Sequence, residues 1–572
     1  MPNIFLNFTA KFKNRFTYLF LLVAAAAAFL RFFALARADV LTDEASLALR
    51  SIGYFDWLAT PYQTTPLEWL NTRPWWSYLS FHDHPSFSFF LQWLQLQMTD
   101  VSLLAVRFWP ALYGLVSIYL LYLIAKRLFN NRVAWLAAIL LAVNNLHVWV
   151  SRLALQESLS ILLILLGVWL FLKSVENKKY FYVWGIVLGL ALMTKLTTIV
   201  LLPVFFTYLI IWRRDIFRMR QLYWGLTLTL LICSPYIIYN IFLYRNFSHF
   251  DFQLSFMFKQ SVAAWQARPG RAEIPSKLES LPFMVSGLKY SLSPSLFYLF
   301  SLSFIWALYK IIKNGLKKTS QNFWWLILII GWQIVLFIFI GSPARFLALL
   351  MPWLSLLLAL AILNFCQSWP KNISYPLIIA LCLWEAFFSY NTNISYQKIG
   401  QEGVSYSRLK YQAYNYGYNQ LDNYLDNLLQ DKRPAVKLTA VNANIDNLIS
   451  QSFAKQIGQA EPWLFVYNDR INNEGIVWSL TRRMLYQAWP VVSFEAYQAS
   501  KIKDKPAVLK EMGVRQVYYI APTDKLPIQA TVTPELLQSL NQWENSLPPA
   551  SLVREIKDAR QQTVFRVYKI DL

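Results

Sequence analysis

Long apolar stretches set the pattern over the first two thirds of the chain. They fall at 16–35, 103–124, 134–150, 159–172, 222–243, 296–312, 323–340, 346–363 and 375–388. Each approaches the ~20 residues that a helix needs to cross a hydrocarbon core about 30 Å thick. The run 182–212 is long enough for two crossings, with Lys195 between them, so the pattern predicts about eleven spans. Polar positions dominate after about residue 390. There the short apolar runs 438–441, 463–467, 490–494 and 516–520 alternate with helical patterns at 445–457, 474–487, 507–512 and 534–547. Such alternation predicts a small α/β domain, and its length is ample for a core of its own. The expected architecture is therefore a polytopic α-helical membrane module over 1–390 and a soluble α/β domain over 391–572.

Charge placement orients this scheme. Lys11, Lys13 and Arg15 precede the first span; Lys126, Arg127 and Arg132 follow the second; Lys173, Lys178 and Lys179 follow the fourth. Arg213, Arg214, Arg218 and Arg220 follow the sixth, and Lys310, Lys313, Lys317 and Lys318 the eighth. If the spans alternate, all of these share one side, the positive-inside pattern of cytoplasmic loops. The net charge of +22 is thus topological, and nucleic acid is not an expected partner. A hydrophobic fraction of 56% with only 15% charged residues agrees with a membrane protein, as does a mean hydropathy of +0.35. Arg31 and the aromatic residues near it offer no clean cleavage site, so the first stretch reads as a retained span with a cytoplasmic N-terminus. The three cysteines lie in or beside apolar stretches and form no metal or disulfide pattern. The first outer loop, 37–102, with interfacial helices, a second at 245–295 and the C-terminal domain then face outward. The expected location is a plasma (inner) membrane, of bacterial type.

Chemistry is expected where ionisable residues meet that outer face, because charge near hydrocarbon is costly unless paired or functional. Asp43 and Glu44 follow the first span; a helix N-cap explains them as well as a site does. His82-Asp83-His84-Pro85 could contact an anion or a metal, or simply open a helix at the proline. Arg107, Arg152 and Glu157 lie at the outer ends of spans, where structural ion pairing or snorkelling is the alternative. Lys195, among threonines at the membrane edge, suits a phosphate arriving from the lipid phase, and Arg345 occupies the matching place after the ninth span. Trp57, Trp69, Trp75 and Trp76 could stack on sugars or lie in the interface.

These residues resemble a known family. The segments Ala105-Val106-Arg107-Phe108-Trp109-Pro110, GLALMTKLT around Lys195 and ARFLALLMP from Ala344, with others in order over 15–365, are similar to the GT-C glycosyltransferases. The closest group is the protein O-mannosyltransferase and aminoarabinose transferase-like branch. The resemblance implies a base from the acidic pair in Thr42-Asp43-Glu44-Ala45 and a further acid at Glu157. It also implies a Thr194-Lys195 turn and an Arg345-Phe346…Pro352 element, with Phe for the usual Tyr. His84-Pro85-Ser86-Phe87 stands where the family has an H-P-P-L-like element. The implied activity is inverting transfer of a sugar from a polyprenyl-phosphate donor to an extracytoplasmic acceptor, which could be protein, lipid or glycan. Asp43 is the expected base, with Lys195, Arg345 and Arg107 on the donor phosphate. Glu44 and Glu157 would orient substrates, His82 and His84 would serve the acceptor loop, and Asp43 with Glu157 could hold a divalent cation such as Mg or Mn. Membrane lipids complete the expected partners. A transporter or flippase of lipid-linked sugars, or a scaffold acting through the C-terminal domain, are the alternatives; ionisable residues gathered at one face and the lack of a visible internal repeat weigh against transport.

Overall fold

The structure is a computed structural model that describes residues 15–58, 79–260, 279–499 and 505–572. Trp69, Trp75 and Trp76, with most of the expected interfacial helices, lie outside the described residues. The chain forms two compact units: a membrane unit, Met1–Leu35 with Tyr62–Lys410, and a sheet unit, Ala36–Pro61 with Tyr411–Leu572. This differs from the expected division at residue 390, because the segment that carries Asp43 and Glu44 joins the C-terminal residues.

Among the described residues of the membrane unit, seven helices are long and apolar enough to span a bilayer: Leu103–Leu128, Gln156–Glu176, Arg220–Phe247, Pro294–Gly315, Gln321–Ile340, Ala344–Ser368 and Lys371–Asn393. The pair Asn131–Val143 and Asn145–Ser151, bent by 62°, makes an eighth if counted as one span. Shorter apolar helices at Leu21–Phe32, Tyr180–Thr194 and Leu196–Trp212 occupy the other expected positions.

Polar residues inside this unit answer to breaks in the helices. Asn144 leaves the helical region (φ −63°, ψ 118°) and its side chain caps the next helix by accepting from His147 N at 3.0 Å. The break exposes carbonyls that Arg31 serves: it donates to Ala142 O at 3.0 Å and meets His147 Nδ1 at 2.7 Å. Pro110 removes an N–H from the helix Leu103–Leu128 and so orphans the Val106 carbonyl, which accepts from Gln92 Nε2 at 3.0 Å. The helices Tyr180–Thr194 and Arg220–Phe247 cross at Gly185 and Gly225; a Cβ on Gly185 would lie 2.0 Å from Gly225 O. Small residues let backbones in a membrane approach this closely.

The sheet unit has a five-stranded sheet of order β4-β3-β5-β7-β6, built from β3 (Trp463–Tyr467), β4 (Val491–Ser493), β5 (Gln516–Pro522), β6 (Leu552–Lys557) and β7 (Thr563–Asp571). β3 pairs parallel with β4 and β5, and β7 pairs antiparallel with β5 and β6. A separate parallel pair joins β1 (Lys432–Pro434) and β2 (Gln459–Glu461). Both faces of the sheet are covered. Trp463, Phe465, Tyr518 and Ile520 pack on one side with Leu421 and Leu425 of the helix Tyr418–Leu429. Leu464, Val466, Val517 and Tyr519 pack on the other with Leu540 of the helix Pro534–Ser546. The period-two alternation of each strand divides these residues between the faces. The run 438–441 is not a strand: Asp446 accepts from Ala440 N at 3.0 Å and holds the chain in a loop that leads to the Asn442 helix cap.

Candidate active site

Two sets of ionisable residues emerge, one in each unit. In the membrane unit Glu157 lies in the first turn of the helix Gln156–Glu176, where a carboxylate complements the helix dipole. It is 1% exposed. Lys195 Nζ reaches its Oε1 at 2.5 Å and Arg345 Nε approaches the same oxygen at 3.7 Å. Each cation arrives from a helix break. Lys195 is extended (φ −161°, ψ 134°) between Tyr180–Thr194 and the 3-10 turn Leu196–Val200, and its carbonyl accepts from Thr198 Oγ1 at 2.9 Å. Arg345 follows Gly341, whose φ of +85° ends the helix Gln321–Ile340, a conformation that favours glycine. The ring of Phe346 lies 4.5 Å from Lys195 Nζ and 5.6 Å from the Arg345 guanidinium. One buried carboxylate thus gathers two cations.

That pairing does not suit the expected divalent cation on Glu157, since an ion there would adjoin two positive groups. Arg107 also has a different setting from the expected phosphate contact. It is 1% exposed and donates to Leu35 O at 3.1 Å. Arg152 donates to the carbonyls of Leu30, Arg31, Phe33 and Ala34 at 3.0–3.2 Å. Both arginines answer the carbonyl-rich C-terminal end of the helix Arg15–Phe32, a structural task.

His82 and His84 flank a common acid: Asp83 Oδ1 lies 3.1 Å from His84 Nδ1 and 3.7 Å from His82 Nδ1. Their loop is fixed by backbone contacts. Phe252 N donates to His82 O at 3.2 Å and Gln253 Nε2 to Asp83 O at 2.7 Å. Burial pushes the neighbouring Asp251 carboxyl up to about 6. Nothing in the sequence pointed to Asp251.

In the sheet unit Asp43 is exposed and stands at the N-cap of the helix Glu44–Gly53, while Glu44 is 1% exposed. The segment before them is anchored by Asp39, which accepts from Asn419 N at 2.9 Å at the start of the helix Tyr418–Leu429. Arg50 pairs with Asp56 at 3.2 Å, both buried, and Trp57 Nε1 donates to Ser46 O at 3.2 Å. Glu474 joins the acidic pair, accepting from Ser46 N at 3.0 Å and from Ser46 Oγ at 2.8 Å. Burial, with Asp43 and Glu44 adding to it, pushes the Glu474 carboxyl up to about 7. Sequence reasoning missed Glu474; a helix-opening Asn473 before it was the only local signal.

Residues 83–239 match the family described as dolichyl-phosphate-mannose-protein mannosyltransferase. Among solved structures, the chain is similar to ArnT from Cupriavidus metallidurans bound to undecaprenyl phosphate, at 14% identity and TM-score 0.53, covering 96% of this chain and 98% of that one. It is also similar to the Archaeoglobus fulgidus oligosaccharyltransferase, at 14% identity and TM-score 0.49, covering 88% of this chain and 68% of that one. No curated protein matches the chain by sequence. The likeness to ArnT shows a shared fold for the helical membrane unit and the sheet unit.

Proposed function

We propose that the chain moves a monosaccharide from a polyprenyl-phosphate carrier to an extracytoplasmic acceptor hydroxyl, with inversion at the sugar carbon. The observation that carries this reading is the convergence of Lys195 and Arg345 on buried Glu157 at two helix breaks of the membrane unit. A phosphate leaving group gains negative charge as its bond to the sugar breaks, and preformed cations stabilise that charge. Glu157 then acts as the post that holds both cations. The acceptor oxygen attacks the anomeric carbon, the bond from that carbon to the phosphate oxygen breaks, and the hydroxyl proton passes to Asp43, which is exposed and able to receive it. The polyprenyl phosphate departs as the anion. The undecaprenyl phosphate bound to the similar ArnT supports the carrier class. The positive-inside loops support an outward-facing site and a plasma-membrane location.

Membranes containing the protein are incubated with a panel of radiolabelled polyprenyl-phosphate hexoses and pentoses, and label is followed into protein, lipid and polysaccharide. Asp43→Asn is expected to reduce transfer by ~100-fold or more at equal expression, because the amide keeps size and polarity but cannot take the proton. Near-normal turnover in that variant refutes Asp43 as the base.

A further inference from the structure

The helices Arg15–Phe32, Leu103–Leu128 and Asn131–Val143 leave a cavity of about 210 Å³ between them. Ala24, Ala27 and Ala138 line it with methyl groups alone, so the space exists because three side chains stop short. Val116 and Tyr119 also line it and are 39% and 50% exposed, so in a bilayer it opens sideways onto lipid. Left empty, such walls lose their dispersion contacts on one side, and water finds few partners there; a hydrocarbon chain restores the contacts. The lining residues nearest the turn between the second and third of these helices are Tyr122 and Trp135. Their ring centroids are 4.9 Å apart, and the Tyr122 hydroxyl donates to Asn131 Oδ1 at 2.8 Å. About one helical turn further toward that end lie Lys126 and Arg132, both exposed. Lys126 Nζ stands 5.9 Å from the Tyr122 ring, and among the described residues neither cation has a carboxylate partner. Their neighbour Arg127, by contrast, pairs with Glu176 and donates to Leu172 O at 3.1 Å. From Leu115, deepest in the groove, to Lys126 the helix rises roughly 16 Å, about half of a hydrocarbon core.

We propose that this groove binds one anionic phospholipid, with an acyl chain against the alanines and its phosphate at Lys126 and Arg132. The groove has the depth of one leaflet, its aromatic pair stands where tail gives way to headgroup, and its two cations lie just beyond. An anionic headgroup complements both cations, whereas a zwitterionic one brings a positive group of its own beside them. The site is separate from the cluster of Glu157, Lys195 and Arg345. Arg127 meeting Glu176 sets the Lys126 end level with the C-terminal end of the helix Gln156–Glu176. Glu157, in the first turn of that helix, lies roughly 28 Å away along it. A lipid with its phosphate at Lys126 therefore does not present it to Lys195. The occupant is a structural lipid that fills a seam between three helices, distinct from the sugar carrier.

The test uses the full-length protein, delipidated in a neutral detergent, with phosphatidylglycerol and phosphatidylcholine of identical acyl chains as probes. Native mass spectrometry counts retained lipid over a concentration series, and melting is followed on the same samples. Two cations at one anionic headgroup correspond to a preference for phosphatidylglycerol of roughly 30-fold, with a matching rise in the melting midpoint. Lys126→Gln combined with Arg132→Gln should bring the two lipids to within ~3-fold of each other. Lys178→Gln combined with Lys179→Gln, exposed cations of the next loop beside Glu176, should leave the preference intact. Ala24→Leu fills the cavity and should weaken both lipids alike, by ~10-fold. If Ala24→Leu does not fold, the charge variants decide, since their side chains are exposed. Equal binding of the two lipids by the wild type overturns the proposal. So does a Lys178/Lys179 variant that loses the preference as fully as the Lys126/Arg132 variant, which would mark loose attraction to a basic surface. Undecaprenyl phosphate that displaces phosphatidylglycerol at equal or lower concentration assigns the groove to the carrier and overturns the phospholipid.

Discussion

Replacing Lys195 by methionine separates the two tasks its position combines. Its ammonium lies 2.5 Å from Glu157 Oε1, and the two residues are 5% and 1% exposed. At an effective dielectric of about 20 the gross attraction across that distance is ~7 kcal/mol. Most of it offsets the desolvation of two charges, so the pair itself adds little net stability. Removing one partner is different: a buried carboxylate left behind costs ~3–5 kcal/mol. Arg345 remains at 3.7 Å and shares the load, which puts the expected loss for Lys195→Met near the lower figure, ~3 kcal/mol. Glu157→Gln combined with Lys195→Met removes the buried carboxylate together with its lysine and should recover most of that stability, because the cation that loses Glu157, Arg345, is a third exposed. Thermal melting of the purified full-length variants measures the first effect, and donor binding and turnover on the same preparations measure the second. The expected pattern is a destabilised single variant and a re-stabilised double variant, both strongly impaired in transfer. A single variant that melts with the wild type, or a double variant no more stable than the single, refutes the pairing argument. Full transfer by the re-stabilised double variant removes Lys195 from the donor phosphate.

Two further outcomes follow. Reporter fusions after Arg132, Lys179 and Arg218 should report cytoplasm and fusions beyond Tyr396 the outside; a cytoplasmic C-terminal fusion would invert the orientation and with it the placement of the site. Glu474 sits at about 7 in the fold against an ordinary 4.5, so the folded state holds its proton more tightly. Its contribution to stability is complete below 4.5 and is lost as pH rises through about 7, by at most ~3 kcal/mol. The melting midpoint of Glu474→Gln relative to wild type should accordingly climb between pH 5 and pH 8, and a flat difference over that window would rule out the raised carboxyl.

Hydropathy made the membrane unit legible: each of the eleven expected stretches lies on an apolar helix, because burial in hydrocarbon demands continuous apolar length whatever the tertiary arrangement. Breaks were partly legible, since a lysine at 195 is costly within a membrane span and a Gly-Ser-Pro ahead of Arg345 is a poor helix interior. Their convergence on Glu157 was not, because only tertiary packing sets which carboxylate a cation meets. Arg107 and Arg152 carried the same charge signal as Lys195 yet serve helix-end carbonyls, a distinction that depends on where the first helix stops. In the sheet unit β3, β4 and β5 were legible from apolar runs. β6 was not: most of its residues are exposed, and exposed edge strands carry little hydrophobic pattern. Glu474 was silent because its partner is a backbone N–H and a serine far away in sequence.

The shared membership of residues 36–61 and 411–572 in one unit has a consequence for synthesis. Ser46 is made early and Glu474 late, 428 residues apart. At ~5–20 residues per second that interval is roughly 20–90 seconds. Throughout it the helix Glu44–Gly53 has neither Glu474 nor the Tyr486 hydroxyl that donates to the Leu49 carbonyl, and the apolar face bearing Leu47 and Leu49 has no sheet unit to enter. The nascent chain must pass its membrane helices into the bilayer while this early segment waits on one side. A ribosome that stalls before residue 474 leaves a chain with its membrane helices made and the helix Glu44–Gly53 without its Glu474 partner.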